Sequence, residues 1–153
     1  MSKPIFFCVS GGSCTPEFYD PIRERLTNHG YSSVAIHLPS MGAKPAKYDF
    51  TEDVEAIREG VTELVAKDEE VIVILHSYAG LPGGQALEGL GKAEREKQGL
   101  KGGVIRLVFI MSWIVPEGFQ GMERGDTSKS SPFQTIDIEV PILFPFFLFT
   151  FIC

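Results

Sequence analysis

The stretch that decides the fold covers residues 71–80 and reads Val71-Ile72-Val73-Ile74-Leu75-His76-Ser77-Tyr78-Ala79-Gly80. Its first five residues are all apolar, which is typical of a strand that is covered on both faces of a parallel sheet. Small residues follow Ser77 at the start of a glycine-bearing helical pattern. The stretch therefore predicts a sharp strand-to-helix turn, with the Ser77 side chain exposed above the end of the strand.

Apolar runs and helical patterns alternate on both sides of this stretch. The other runs cover residues 5–9, 33–38 and 104–110, and the helical patterns cover residues 16–29, 49–65 and 78–97. Such alternation predicts an α/β fold, a mostly parallel sheet flanked by helices in three layers. Asp49 and Glu52 have the spacing of a capping box and are expected to begin the second helix.

The pattern changes after residue 110. Residues 112–131 contain turn residues and charges of both signs, which predicts an exposed excursion. In residues 140–153, thirteen of fourteen positions are apolar or proline, fewer than the roughly 20 apolar residues of a membrane span. Prolines also disfavour a regular strand there. We therefore expect one partial domain over residues 1–139, whose parallel sheet ends at the strand 104–110, and an apolar tail over residues 140–153 outside it.

Charge and cysteine usage exclude several classes of partner. The formal net charge is −6, which does not suit nucleic acid or an anionic membrane, because both attract basic surfaces. The N-terminus lacks the pattern of a cleaved signal peptide, so a cytoplasmic location is predicted. The cysteines at positions 8, 14 and 153 lack metal-ligand spacing, which predicts free thiols, with neither a metal nor another cofactor.

A glycine-bearing loop is expected beside Ser77. The first strand ends in Val9-Ser10-Gly11-Gly12-Ser13, at the same carboxyl edge of the sheet. Acyl transfer to a serine requires backbone N–H groups aimed at the oxyanion that develops on the substrate. We expect these donors to be the N–H groups of Gly12 and Tyr78. The alternatives are that Ser77 merely caps a helix and that Gly11-Gly12 is a plain tight turn.

Three motifs together resemble the α/β-hydrolases. They are Phe7-Cys8-Val9-Ser10-Gly11-Gly12, His37-Leu38-Pro39-Ser40 and Leu75-His76-Ser77-Tyr78-Ala79-Gly80. The branch they resemble most is an esterase-like group similar to plant methylesterases and hydroxynitrile lyases. The sequence departs from that branch at Ser10, where histidine is usual, and at His37, where aspartate is common. Leu75 stands where the usual pattern of a nucleophile elbow has glycine.

The resemblance covers residues 4–120 and implies the strand order 4-3-5-6 in the family's strand names. It implies a serine nucleophile at Ser77 in a nucleophile elbow, and oxyanion donors at Gly12 and Tyr78. It also implies that residues 112–131 begin a cap over a pocket for a small-molecule ester, with Gly11 and Trp113 in its lining. The alternative for Trp113 is an ordinary loop residue that packs on the core. The oligomeric state and the identity of the substrate stay open.

The catalytic triad is incomplete within this sequence. A serine needs an adjacent base, and in this fold the acid and the histidine follow the nucleophile along the chain. His29, His37 and His76 all precede Ser77, and only His37, after a neighbouring strand, is a weak candidate for a substitute base. We therefore expect a truncated hydrolase of small carboxylic esters that is inactive as written, either a fragment or a real short form. The alternatives are a non-catalytic protein that binds a small hydrophobic ligand and a hydroxynitrile-lyase-type enzyme.

Overall fold

A sheet of five strands forms the centre of the computed structural model, which describes residues 2–45, 47, 49–115 and 150–151, the last two by their backbone alone. The strands are β1 (Ile5–Val9), β2 (Ser33–Ile36), β3 (Glu70–His76), β4 (Gly103–Ile110) and β5 (Thr150–Phe151). The first four pair in parallel in the order β2-β1-β3-β4. This is the order that the family resemblance implies, with β3 inside the sheet and directly before Ser77.

Four helices and two 3₁₀ turns lie between these parallel strands. The helices are α1 (Asp20–Asn28), α2 (Thr51–Val65), α3 (Gly80–Ala86) and α4 (Lys92–Lys97), and the turns are Pro16–Tyr19 and Ser77–Ala79. The predicted α/β architecture, a parallel sheet flanked by helices, is therefore confirmed. Among the described residues, no helix has the length and apolarity that crossing a bilayer requires.

Side chains on successive residues of a strand point to opposite faces of the sheet, and this divides the core into two layers. One layer joins strand residues such as Val9 and Leu75 to Ile57 of α2 and Ala86 of α3; we call it the α2–α3 face. The other layer buries Cys8, Tyr19 and Ile74, and we call it the Tyr19 face. The predicted free thiols are confirmed at Cys8 and Cys14.

Two of the predicted helices are broken in the structure. Residues 16–29 form a 3₁₀ turn followed by α1, which begins at Asp20 with a proline in its first turn. Residues 78–97 form the turn Ser77–Ala79 and then α3 and α4, instead of one helix. Gly89 has a left-handed φ of 76°, a conformation that an α-helix cannot contain. The helical spacing was right within each part but missed this interruption.

The ends of two elements also differ from the prediction. β2 ends at Ile36, two residues before the apolar run does. The capping box is wrong: the residue before α2 is Phe50, which makes no side-chain cap. Asp49 instead accepts a hydrogen bond from the Thr51 N–H at 2.8 Å, and Glu52 pairs with Lys47. Short polar side chains offer the backbone such local partners, and these compete with the regular cap.

The outer edge of β4 is paired over two residues. β5 runs antiparallel to β4, with Phe151 opposite Phe109 and Thr150 opposite Ile110. The parallel part of the sheet therefore ends at β4, as predicted, and the antiparallel pair with β5 extends this edge by two residues. Residues 116–149 lie outside the described residues, and with them most of the predicted excursion and of the tail. The domain boundary at residue 139 and the cytoplasmic location stay predictions.

Candidate active site

Ser77 stands at the sharp point of the turn between β3 and α3. It follows the last residue of β3 directly and begins a 3₁₀ turn, and its φ is 53°. This left-handed region is rare for a residue other than glycine and costs about 1–3 kcal/mol. The N–H of Gly80 closes the turn by donating to the carbonyls of Ser77 and Tyr78. The strained backbone therefore stands where the sequence predicted a strand-to-helix turn.

The loop after β1 passes directly beside this turn. A Cβ atom on Gly11 would lie 2.8 Å from the Cβ of Ser77 and 2.9 Å from Nδ1 of His76, so only glycine permits the approach. A Cβ on Gly12 would lie 3.8 Å from the Cβ of Tyr78. The structure thus brings Gly11, Gly12, Ser77 and Tyr78 together at the carboxyl edge of the sheet, where ligands bind in open α/β sheets.

The segment after β4 covers the same turn from another side. The hydroxyl of Ser112 donates to the carbonyl of Ser77 at 2.7 Å, and the N–H of Trp113 approaches that carbonyl at 3.4 Å. A Cβ on Gly80 would lie 2.0 Å from the carbonyl oxygen of Trp113, so Gly80 makes room for this segment. Trp113 reaches the turn through its backbone, while the residue as a whole is 53% exposed. The sequence prediction missed Ser112, although its place just after a strand at this edge was a usable signal.

Leu75 occupies the position where the usual pattern of such a strand-to-helix turn has glycine. Its side chain is fully buried, and a Cβ on Gly83 would lie 2.5 Å from one of its methyl carbons. The space that a small residue would leave on β3 is therefore provided on α3. This departure from the family pattern is compatible with close packing of strand and helix.

A buried carboxylate that the sequence prediction missed lies behind Tyr78. Asp53 of α2 is fully buried and accepts three hydrogen bonds: from the Ser40 N–H at 2.9 Å, from the Ser40 hydroxyl at 2.5 Å and from the Tyr78 hydroxyl at 2.7 Å. In the part of the chain that the structure describes, no basic side chain pairs with it. Asp53 stands four residues before the buried Ile57 and so on the same face of α2. A charged residue on this apolar face is the sequence feature that could have predicted a buried carboxylate.

Burial raises the pKa of Tyr78, and its hydrogen bond to Asp53 raises that pKa further. The phenol therefore stays protonated and acts as the donor. The Asp53 carboxylate can then accept from all its partners, since an ionised carboxylate has only acceptor sites.

The histidines near Ser77 differ in their surroundings. The ring of His76 stacks on Phe18, with centroids 4.9 Å apart and an interplanar angle of 17°. Burial lowers the pKa of His76, which favours its neutral form, and its Nδ1 has no hydrogen-bond partner within the described residues. His37 is exposed in the loop after β2. Among the described side chains, none forms a hydrogen bond with the hydroxyl of Ser77 in this structure.

Comparisons with known proteins place this arrangement in a family context. A model of the α/β-hydrolase family matches residues 6–150. The chain is 34% identical over 118 residues to an α/β hydrolase from Aspergillus novofumigatus, and 34% identical over 119 residues to a probable hydrolase from Phoma sp.. These alignments cover 77% and 76% of this chain but 46% and 45% of the relatives. The chain thus spans about half the length of the curated relatives it matches.

Two crystal structures of tomato methylketone synthase I share the fold. One, in complex with 2-tridecanone, has a TM-score of 0.59 at 18% identity and aligns with 79% of this chain and 44% of its own. The other, a histidine-to-alanine variant in complex with β-ketoheptanoate, has a TM-score of 0.60 at 17% identity. It aligns with 93% of this chain and 55% of its own. At this level of identity the likeness concerns the fold alone.

Proposed function

This chain belongs to the α/β-hydrolase family, and we propose that Ser77 is the nucleophile of a hydrolase of small carboxylic esters. The observation that carries the proposal is the left-handed backbone of Ser77 beside the Gly11-Gly12 loop. A serine that only caps a helix has an extended backbone and accepts a bond from the first turn. Ser77 has neither feature: its φ is positive, and the 3₁₀ turn has no side-chain cap.

The proposed chemistry is acyl transfer through a serine ester. The Ser77 oxygen attacks the ester carbonyl carbon while a base takes the hydroxyl proton. The carbonyl oxygen becomes an oxyanion, which the N–H groups of Gly12 and Tyr78 stabilise. The intermediate then expels the alcohol, which takes the proton from the base, and water releases the acid from Ser77 by the same steps in turn. Gly11 and Trp113 are proposed to border the pocket for the acyl group.

Slow turnover is expected from these 153 residues, because they supply no histidine base at the place along the chain where this fold has one. In this fold the histidine follows the serine along the chain, whereas all three histidines of the sequence precede Ser77. Oxyanion donors and substrate binding alone retain about 10³- to 10⁴-fold acceleration over water when triad members are absent. We therefore propose residual ester hydrolysis for this chain. The hydrolase names of two relatives support hydrolysis over lyase activity or mere ligand binding.

The test uses the full chain and an activated phosphonate ester, p-nitrophenyl methylphosphonate, which traps a nucleophilic serine. Mass spectrometry after long incubation should find the phosphonyl group on Ser77, and Ser77→Ala should abolish it. Ser32→Ala is the matched control, because Ser32 is exposed and precedes β2 at the opposite edge of the sheet. Equal labelling of several serines would contradict the proposal. Fast hydrolysis of p-nitrophenyl butyrate that depends on Ser77 would contradict the slow turnover and require another base, such as His37.

A further inference from the structure

We propose that Asp53 is a positioning residue for the site around Ser77. Its buried carboxylate holds the Tyr78 side chain and thereby sets the gap between the N–H groups of Tyr78 and Gly12. The inference rests on the proposed function, because the gap matters for chemistry only if an oxyanion develops there. Asp53 is fully buried and reaches the turn at Ser77 through the Tyr78 side chain, so its proposed action is indirect.

The surroundings of Tyr78 carry this inference. At the backbone end, Tyr78 lies beside the loop after β1, where a Cβ on Gly12 would stand 3.8 Å from the Cβ of Tyr78. At the other end, the hydroxyl donates to Asp53 at 2.7 Å. The ring between these ends is half-buried and packs against the apolar core of the α2–α3 face. A side chain that is fixed at its hydroxyl and packed along its ring limits the movement of its own peptide unit.

Asp53 also joins the turn at Ser77 to the loop after β2. Its two carboxylate oxygens accept both donors of Ser40, which lies in that loop. The next residue, Met41, accepts a hydrogen bond on its sulfur from the N–H of Ser13 at 3.2 Å, and Ser13 belongs to the loop after β1. The loops after β1, β2 and β3 are thus connected in one network, and Asp53 is the member that links the second to the third.

A carboxylate suits this position for a physical reason. The backbone N–H of Ser40 lies on one oxygen of Asp53, and the hydroxyls of Ser40 and Tyr78 lie on the other. Asparagine could keep its oxygen on the N–H and donate from its N–H₂ group to the two hydroxyls, because a hydroxyl also accepts, but these neutral hydrogen bonds are weaker than bonds to a carboxylate. The first turn of α2 carries a partial positive charge from the helix dipole, which stabilises the carboxylate.

The experiment measures amide hydrogen exchange by NMR in the full chain and in three variants. The reporter is the N–H of Gly80, which closes the turn at Ser77, and the reference is the N–H of Val104, which donates to the Leu90 carbonyl at 2.8 Å. Asp53→Asn should speed exchange at Gly80 relative to Val104 by roughly three- to tenfold, which is the difference between hydrogen bonds that involve a charged group and neutral ones. Tyr78→Phe, which removes the hydrogen bond to Asp53 altogether, should also speed exchange at Gly80 relative to Val104.

The matched control is Glu52→Gln, which removes a carboxylate from the same turn of α2. Glu52 is exposed and, among the residues that the structure describes, pairs only with Lys47, so the ratio of exchange at Gly80 to exchange at Val104 should not change. An unchanged ratio in both Asp53→Asn and Tyr78→Phe would overturn the inference. Equal acceleration at Gly80 and Val104 in both variants would also overturn it, because it would indicate general loosening of the fold.

Phosphonate labelling of Ser77 separates this inference from the proposed function. Asp53→Asn should slow labelling by a factor in the same range, while Glu52→Gln should leave it unchanged. If the ratio shifts as expected but Ser77 of the unsubstituted chain is never labelled, the hold of Asp53 on the turn is supported and the proposed function is contradicted. If Ser77 is labelled equally fast in both chains, the proposed function is supported and the positioning role is overturned.

Discussion

The two faces of the sheet differ in how many hydrophobic residues they bury. Among the described residues, the α2–α3 face buries thirteen hydrophobic residues, whereas the Tyr19 face buries three, and α1 on that side has no fully buried residue. Hydrophobic stabilisation scales with the apolar area removed from water. The difference teaches that most of the stability is concentrated on one side of the sheet, where α2 and α3 pack.

The Tyr19 face differs also in burying ionisable side chains, which burial keeps in their neutral forms. Burial raises the pKa of Cys8 to about 11, and burial also raises the pKa of Tyr19, whose hydroxyl donates to the carbonyl of Val9 at 3.2 Å. The pKa of His76 is lowered by burial. Each shift favours the uncharged form, since burial disfavours charge. The stability of this face is therefore expected to depend on pH, and that of the α2–α3 face on packing.

The largest effect is expected from a cavity in the α2–α3 face, which tests whether this face contributes most of the stability. Ile57→Ala removes a fully buried side chain of α2 and should lower the free energy of unfolding by about 2–5 kcal/mol. Urea unfolding followed by circular dichroism measures the change. Ile57→Val, which loses one methylene, should cost about 0.5–1.5 kcal/mol. A loss from Ile57→Ala no larger than that from Ile57→Val would mean that this face is not the main core.

The second test contrasts two glycines of α3. Gly80→Ala forces a Cβ to within 2.0 Å of the carbonyl oxygen of Trp113 and should destabilise by about 1–3 kcal/mol, as overpacking does. Gly84→Ala meets no atom within 4 Å and should stabilise the helix by about 0.4–1 kcal/mol. Thermal unfolding of both variants measures the contrast. Equal shifts for the two would show that the segment after β4 does not pack over the turn.

The third test uses pH to separate the two faces. Because the folded pKa of His76 lies below its unfolded value of about 6.5, its contribution to stability is fully present above that pH and is lost as the pH falls towards the folded pKa. The melting temperature should therefore fall between about pH 7.5 and pH 5.5. His76→Phe keeps an aromatic ring against Phe18 and should reduce this dependence.

His37→Asn is the control for the pH experiment, because His37 is exposed, and its pH dependence should match that of the unsubstituted chain. The lowered pKa values of Glu17 and Asp49 act at more acidic pH, because carboxyl groups ordinarily titrate near pH 4. An equal fall in melting temperature in His76→Phe would assign the effect to another group.

The smallest effect is expected on α1. Ile22 is 39% exposed, and alanine is the better helix former, so Ile22→Ala should change the free energy of unfolding by about 0.5 kcal/mol or less. The same urea experiment measures it. A loss of the size expected for Ile57→Ala would mean that the Tyr19 face is as strongly packed as the other face, and would remove the contrast between them.

The family resemblance implied the order of the parallel strands. The sequence by itself determined the α/β class and the place of the turn at Ser77. These features depend on local patterns, because an unbroken apolar run predicts a doubly covered strand and glycine spacing marks turns and close approaches. The pairing of Gly11 with Ser77 also followed, since the carboxyl ends of parallel strands meet at one edge. The family resemblance added the roles of Gly12 and Tyr78, which stay proposals.

Only the tertiary structure decided how that edge is held together. The bond from Tyr78 to Asp53 joins residues 25 positions apart, and the bond from Ser112 to Ser77 joins residues 35 apart. No periodicity or spacing predicts such pairs, because they depend on how whole elements pack against one another. The break between α3 and α4 and the pairing of β5 with β4 were decided in the same way. Local propensity limits each element, and the packing of the whole chain selects among the arrangements that remain.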